Sequence, residues 1–506
     1  MPEAAGASLH PARLHDVTAD AAPQITNRFW NALSFLTALA VVAALGSRTF
    51  VADSLMGLYL GRYIDAHGIP HVDDLTTNGA GLDWIDQQWL AQVLSYGSWS
   101  IGGYTLAAMV SAVALAAAFL VLSMILLHRG TPGIQAFAWV GVTLAVTLNN
   151  TFIRAQSIAV LLFVLVLLLL LRDEEQERFR PGIWVGILLL LAVWANIHGS
   201  LLLTIPAVSA WAVWRAFRAR RTHGRDALGW LGAAILAPLM ILVTPYGIDI
   251  VDYYRSVLGN DTIGSFITEW QPAMFTAKGS IPFLLYLLAT IGTCGFVLGR
   301  GRRLPLLPTA LAVWYMGVGT LALRYHIWGA FPATILLASI VRLPTSDAPD
   351  QVARARRLLT PVLVALVVGN AAIIVGLARQ DEKQWLSTIP VEQVDAAAQW
   401  LDDNPDSTIL ADDPTSPALL WLHPEQATGR VAFDARLEHF REQDLRSFFI
   451  FVEAYGPEWL DIADGHDAIL MSKLYHPRAV ELMDDEPGWR IESKSRYGRL
   501  YVRDDA

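Results

Sequence analysis

About eleven long apolar runs, joined by connectors whose charges are sorted, constrain this chain more than any other feature. The runs lie near residues 29–45, 104–127, 134–148, 157–171, 183–196, 201–217, 228–243, 281–298, 306–323, 327–341 and 361–377. An apolar helix of roughly 18 residues or more can cross a hydrocarbon core of about 30 Å. Backbone amides cannot stay unpaired in lipid, so a spanning segment is either a helix or a strand of a closed barrel. These runs are continuously apolar and lack the alternation of a barrel strand, so the pattern predicts helices. Composition agrees. The chain is 54% hydrophobic and 16% charged, against about 25% charged in soluble domains.

Connector charge predicts the orientation. One alternate set holds sixteen arginines: Arg129; Arg172, Arg178 and Arg180; Arg215, Arg218, Arg220, Arg221 and Arg225; Arg300, Arg302 and Arg303; Arg342, Arg354, Arg356 and Arg357. The other holds six basic residues spread over longer loops: Arg48, Arg62, Arg154, Arg255, Lys278 and Arg324. The positive-inside rule makes the first set cytoplasmic. The amino terminus is then inside, and an odd number of spans leaves the carboxyl-terminal part outside.

The expected organisation has three parts. Residues 1–27 read as a flexible cytoplasmic tail, residues 28–379 as the membrane body, and residues 380–506 as an extracytoplasmic soluble α/β domain. That last part carries 26 acidic and 12 basic residues, a net charge of −14 where the whole chain has −9. An acidic domain on a mildly basic membrane body argues against nucleic-acid binding. Cys294 is the single cysteine, so a disulfide framework or thiolate cluster is excluded. Two outside loops are long. Loop 46–103 contains two amphipathic segments suited to the membrane interface, and loop 245–279 contains a third at 248–258. Short strands are expected at 408–411, 468–471 and 500–502, and a strand end near Phe433.

The candidate chemistry falls on the outside connectors. Asp53 follows the first span, where a carboxylate can take a proton from a hydroxyl or hold a cation; an ordinary helix N-cap is the alternative. Asp73 sits in an Asp-rich turn, which is otherwise solvated loop. Asp83, Asp86 and Gln88 can form a polar wall or the wet face of an interfacial helix. Arg154 stands between two very apolar spans, a costly place unless it meets phosphate, water or a carboxylate. Its planar fork suits a phosphate oxygen, and headgroup snorkelling competes. Gln156 adds a directional group, and Arg324 with His326 repeats the arrangement. Asn196 and His198 end a span, followed by Gly199, which permits close backbone approach. Glu269 lies beside Trp270, and tryptophans either belt the interface or stack on sugars.

The order of these clusters resembles the GT-C class of polytopic glycosyltransferases, most of all a bacterial branch of that class. The matching runs are Asp53 to Gly61-Arg62, His67-Gly-Ile-Pro70 to Asp73, and Trp84 to Gln88-Trp89-Leu90. Then follow Arg154-Ala-Gln156, Trp194-Ala-Asn196-Ile-His198-Gly199, Thr244-Pro-Tyr-Gly247, Glu269-Trp270-Gln-Pro272, the outer Arg324 and Phe433-Asp-Ala-Arg436. The resemblance covers nearly the whole chain after the leading tail. It departs where a Trp-Trp-His stretch gives way to Leu55, Met56 and Gly57, and where Ala155 replaces a proline. If that histidine serves catalysis or a metal, this chain works differently or has changed substrate.

The resemblance implies a mainly α, GT-C-like bundle of about eleven spans, with interfacial helices in the first outside loop. It implies transfer of a sugar from a polyprenyl-phosphate donor to an extracytoplasmic glycan, lipid or protein acceptor at the bacterial cytoplasmic membrane, with inversion at the anomeric carbon. Asp53 would be the base, Arg154 or Arg324 would stabilise the departing phosphate, and Gln88, His198 and Glu269 would position sugar or acceptor. Asp73, Gln156, Asn196 and Trp270 complete the expected binding set. No organic cofactor is implied, and a divalent cation is left open. The main rival is a transporter or flippase of lipid-linked sugars, which places polar groups at the bilayer midplane and shows repeated halves; neither is evident here. A non-catalytic glycan-binding scaffold is the third reading, and a ligase or polymerase of lipid-linked glycans is closely related chemistry.

Overall fold

The computed structural model describes residues 17–342 and 349–504. In chain order the helices of the first part are α1 (Val17–Leu45), α2 (Ala52–His67), α3 (Trp89–His128), α4 (Gly133–Val146), α5 (Ala155–Glu174), α6 (Pro181–Trp194), α7 (Leu201–Ala219), α8 (Gly224–Leu239), α9 (Ile250–Leu258), α10 (Asp261–Phe266), α11 (Ile281–Gly299), α12 (Leu306–Gly319), α13 (His326–Ile340) and α14 (Pro349–Ala378). Each apolar run falls on one of them. Of the expected leading tail, residues 1–16 lie outside the described residues, and 17–27 form the first turns of α1.

The chain is a multi-pass membrane protein. Six described segments are long and apolar enough to cross a bilayer: Asn27–Leu45, Trp89–His128, Ala155–Glu174, Gly224–Leu242, Lys278–Gly299 and Arg357–Ala378. α4, α6 and α12 are apolar but 14 residues long. At 1.5 Å per residue each covers about 21 Å, less than the roughly 30 Å of a hydrocarbon core. By length and apolarity alone, then, six of the eleven runs suffice.

Packing follows from which helices are apolar all round. α13 is buried along nearly its whole length and, with α3 and α5, forms the axis against which the other helices lie. Hydroxyls clasp the helices where lipid offers no partner. Thr334 on α13 meets Thr143 of α4 at 2.6 Å and Tyr286 of α11 at 2.7 Å. At the arginine-rich end, the buried Asp173 of α5 accepts the indole N–H of Trp184, Trp211 and Trp230 at 2.9, 3.0 and 3.1 Å. Arg215 Nε stands 3.5 Å from the same carboxylate.

The first long loop holds the two expected amphipathic helices. α2 packs on the first half of α3 so closely that a Cβ on Gly61 would overlap the Gln92 carbonyl. α3 then breaks at Gly102 and Gly103, the latter with φ 62°. That left-handed backbone is open to glycine at little cost. It turns the interfacial half into the spanning half, where the sequence places the start of the span.

The carboxyl-terminal part contains α15 (Glu382–Trp385), α16 (Val391–Asp403), β1 (Ile409–Ala411), α17 (Thr415–Leu422), α18 (Pro424–Ala427), α19 (Glu442–Val452), β2 (Ala468–Ser472), α20 (Pro477–Met483), β3 (Trp489–Lys494) and β4 (Gly498–Arg503). Its sheet has the order β1-β2-β4-β3, with β1 parallel to β2 and the other pairs antiparallel. Ile409 lies opposite Ala468, and Leu470 opposite Leu500. The three expected strands are present. β3, Trp-Arg-Ile-Glu-Ser-Lys, carries too many charges to read as one. The segment before Phe433 forms only isolated bridges, in which Val431 pairs with Ile409 on one side and Thr76 of the first loop on the other.

This part is not an appendage. Phe50, Leu55, Leu58, Trp84 and Tyr104 of the membrane body share one apolar core with Trp385, Leu401, Leu419, Trp421 and Leu470. Arg62 of α2 donates to the carbonyls of Leu420 and Trp421 at 2.6 and 2.9 Å, meeting the unpaired C-terminal carbonyls of α17.

Candidate active site

A cavity of about 530 Å³ opens where the loops of the arginine-poor end meet the carboxyl-terminal part. Six segments of the membrane body supply its floor and walls: the start of α2, the start of α3, the start of α5, the α6–α7 turn, the 253–270 segment and the 324–325 connector. Helix starts gather here because α3, α5, α7 and α13 all begin at this end. Their unpaired N–H groups make it favourable for anions.

Arg154 is the organising residue. It directly precedes α5 and its side chain is only 9% exposed. Nη1 lies 2.9 Å from Glu269 Oε2 and 3.6 Å from Asp53 Oδ2. One guanidinium thus joins two carboxylates from different loops. Nε and Nη2 are buried and have no hydrogen-bond partner among the described residues. A desolvated donor with no acceptor costs about 1–3 kcal/mol or more. Burial alone would lower the guanidinium pKa, but Glu269 and Asp53 outweigh burial and raise it. Burial likewise pushes the Glu269 carboxyl up, and Arg154 and Arg324 bring it below its ordinary range. The Arg154–Glu269 pair therefore stays charged through neutral pH.

The other expected residues divide clearly. Gln88, Gln156, His198, Glu269, Trp270 and Arg324 line the cavity with Asp53 and Arg154. The Arg324 guanidinium stacks on the Trp270 ring at 4.5 Å. Gln156 donates to the Arg324 carbonyl at 3.1 Å, and its own Oε1 has no partner among the described residues. His198 Nδ1 accepts the Ser200 amide at 3.1 Å, which puts the proton of a neutral ring on Nε2. Burial, then Arg324 and Arg154, hold this imidazole well below its ordinary pKa. It is neutral at pH 7 and can donate from Nε2.

Asp73 and Asn196 do not line the cavity. Asn196 ties helix ends together, accepting from Trp89 Nε1 at 2.7 Å and donating to the carbonyls of Ala192 and Val243, both at 2.8 Å. Asp73 is fully buried against Arg436, whose Nη2 lies 3.0 Å from both carboxylate oxygens. His439 Nε2 is 3.1 Å from Asp73 Oδ2. Thr76 Oγ1 and the Leu75 amide complete its shell at 2.7 and 2.9 Å. Burial raises this carboxyl, and His439, Arg436 and the other donors pull it well below its ordinary range.

Several cavity residues were not singled out by the sequence. Tyr253 and Tyr254 come from α9, the segment 248–258 read only as interfacial. Asp413, Glu438 and Tyr475 come from the carboxyl-terminal part. Asp413 follows β1 and pairs with His476 at 2.8 Å. Burial lowers the His476 pKa, but Asp413 and its neighbours raise it to about 9. Glu438 accepts the Tyr253 hydroxyl at 3.2 Å, and burial, foremost, raises its pKa. An acidic doublet after a strand that pairs in parallel was a readable hint for Asp413. Nothing local marked Glu438.

Among the described residues no group of three or more His, Cys, Asp or Glu side chains is arranged to hold a metal ion. Asp53 and Glu269 already converge on the positive charge of Arg154.

The chain is similar in fold to the arabinofuranosyltransferase AftD from Mycobacteria, with a TM-score of 0.50 and 15% identity over 94% of this chain and 40% of that one. ArnT from Cupriavidus metallidurans bound to undecaprenyl phosphate gives 0.49 and 14%, covering 92% and 97%. The oligosaccharyltransferase of Archaeoglobus fulgidus gives 0.48 and 10%, covering 87% and 69%. No family model and no curated protein matches the chain. The likeness is one of fold.

Proposed function

We propose that the protein is a membrane glycosyltransferase that moves a sugar from a polyprenyl-phosphate donor to an extracytoplasmic glycan, lipid or protein acceptor. The carrying observation is Arg154: a buried guanidinium whose Nε and Nη2 have no hydrogen-bond partner among the described residues, joined to Asp53 and Glu269 at the wall of one cavity. A phosphate oxygen is the acceptor that would satisfy those donors. The donor's lipid would stay among the helices while its phosphate reaches Arg154 and Arg324. Arg324 is held by Trp270 and by the Gln156 contact to its backbone.

In this reading the reaction is a single displacement. The acceptor hydroxyl oxygen forms a bond to the anomeric carbon as the bond from that carbon to the phosphate oxygen breaks. The hydroxyl proton passes to Asp53, whose side chain is half exposed in the cavity. The bonding electrons leave on the phosphate. Its growing charge falls on Arg154 and Arg324, an interaction strongest in the transition state. His198, neutral with its proton on Nε2, donates to a substrate oxygen. A cytoplasmic amino terminus and a bacterial inner-membrane location belong to the same proposal, resting on the connector arginines. A flippase is less well supported, because these charges sit at helix ends rather than mid-span.

The test is transfer by the purified full-length chain from radiolabelled polyprenyl-phosphate sugars to envelope glycan. Asp53→Asn should lose at least about 100-fold in rate while still retaining the lipid donor. Lipid movement across vesicles without transfer would overturn the proposal in favour of the flippase.

A further inference from the structure

Glu438 reaches the cavity on a turn whose two flanks are fastened to one carboxylate. Arg436 lies two residues before it and His439 one residue after, and both bind Asp73 of the first loop. Arg436 is held further by Asp434, whose Oδ2 lies 2.7 Å from its Nε and accepts the Tyr59 hydroxyl at 2.9 Å. The guanidinium lies 4.1 Å above the Trp84 ring. Ala435, Leu437 and Glu438 line the cavity between these fixed points. The carboxyl-terminal part is thus clamped at one place, next to the one carboxylate this turn adds to the cavity.

Around Glu438 the wall changes character. Its neighbour there is Tyr253, bonded to it. The buried Tyr254 hydroxyl also lines the cavity and has no hydrogen-bond partner among the described residues. A carboxylate, a phenol bonded to it and a second phenol without a partner suit a group that both donates and accepts hydrogen bonds beside an apolar face. A sugar ring does this. Arg154 and Arg324 in the same cavity suit an anion. One cavity therefore offers groups of two chemical kinds.

We propose that Glu438, with Tyr253 and Tyr254, binds the hydroxyls of a sugar, and that Asp73 is a positioning residue that sets Glu438 through Arg436 and His439. This rests on the reading that the cavity takes a sugar on a lipid phosphate. The sugar belongs either to the donor or to the acceptor, and the two are separable by experiment.

The experiment measures binding to the full-length chain in lipid nanodiscs. The probes are undecaprenyl phosphate, its glucosyl, mannosyl and arabinofuranosyl esters, and the corresponding free methyl glycosides. Wild type should bind at least one sugar-bearing probe with a sugar-dependent gain. Glu438→Gln should weaken that gain about tenfold, as expected for one hydrogen bond to a charged group, with undecaprenyl phosphate bound as in wild type. Asp73→Asn should reproduce this pattern, and Asp73→Glu should restore part of the gain. Arg154→Gln should weaken every lipid probe. A gain seen with an ester assigns the sugar to the donor, and one seen with a methyl glycoside assigns it to the acceptor. The proposal is overturned if Glu438→Gln keeps the full gain, or if either variant weakens undecaprenyl phosphate in parallel, the mark of general disruption. Phosphate lipid bound without any sugar-dependent gain overturns this inference and leaves the function standing. Failure of wild type to bind any lipid probe overturns both.

Discussion

At the scale of single residues, the cavity shows how burial decides what a polar group can do. Arg154 is kept charged by two carboxylates, so its donors are permanent. Asp86 shows the reverse. It is buried, with Oδ1 accepting from Gln92 Nε2 at 2.8 Å and from the Gln88 amide at 3.3 Å, and Oδ2 without a partner among the described residues. Burial pushes its carboxyl up to about 7, against smaller opposing contributions from Gln92 and Arg436. The folded protein therefore keeps a proton that the unfolded chain releases near pH 4. Stability falls as pH rises from about 4 to about 7 and stays low above that. Asp86→Asn keeps the Gln92 contact and removes the titration. It should stabilise the protein by about 2–3 kcal/mol more at pH 8 than at pH 5. Thermal unfolding in detergent at the two pH values checks this; an equal effect at both would show that Asp86 does not titrate in this window.

At the scale of elements, the helices are held by polar clasps that no periodicity reveals. Asp173 gathers indoles from α6, α7 and α8 onto the end of α5. Removing the carboxylate leaves three buried N–H donors and Arg215 without their common acceptor. Asp173→Ala should cost about 3–5 kcal/mol, as for breaking a buried charge cluster at one partner. Trp211→Phe, which removes one donor and leaves a smaller aromatic ring, should cost less, about 1–2 kcal/mol. Chemical or thermal unfolding of the purified variants measures both. Comparable losses would mean that apolar packing, and not the shared carboxylate, holds these helices. The short helices α4, α6 and α12 belong to the same scale. Their apolar faces were legible, and prolines mark where each begins: Pro132, Pro181 and Pro305.

At the scale of the whole molecule, the carboxyl-terminal part and the membrane body are packed together at the cavity end. They share an apolar core, a strand-like bridge from Thr76 to Val431, and the buried Asp73–Arg436 pair. A chain truncated after Arg379 would expose Phe50, Leu55, Leu58 and Trp84 and leave Asp73 without Arg436 and His439. It should lose undecaprenyl phosphate binding and aggregate or be degraded. Size-exclusion profiles and ligand binding of the truncated chain test this, and a monodisperse, lipid-binding truncation would show that the body folds alone. The division at residue 380 rests on polarity and strand pattern, which report local structure but not what a surface rests against.

The sequence by itself determined the membrane character, the helices and the sorting of polar connectors to one end. Each follows from local apolarity, length and charge, which the bilayer acts on directly. It also carried Asp53, Arg154, Gln156, His198, Glu269, Trp270 and Arg324, because a polar group set beside an apolar span is costly to desolvate unless a partner receives it. Tertiary structure alone decided that Arg154 joins Asp53 to Glu269, that Asp73 faces Arg436 and not the cavity, and that Glu438 enters it. Those pairings link residues more than a hundred positions apart. They depend on which loops the packed helices bring together, and a pair of charges far apart in a chain leaves no local trace of its partner.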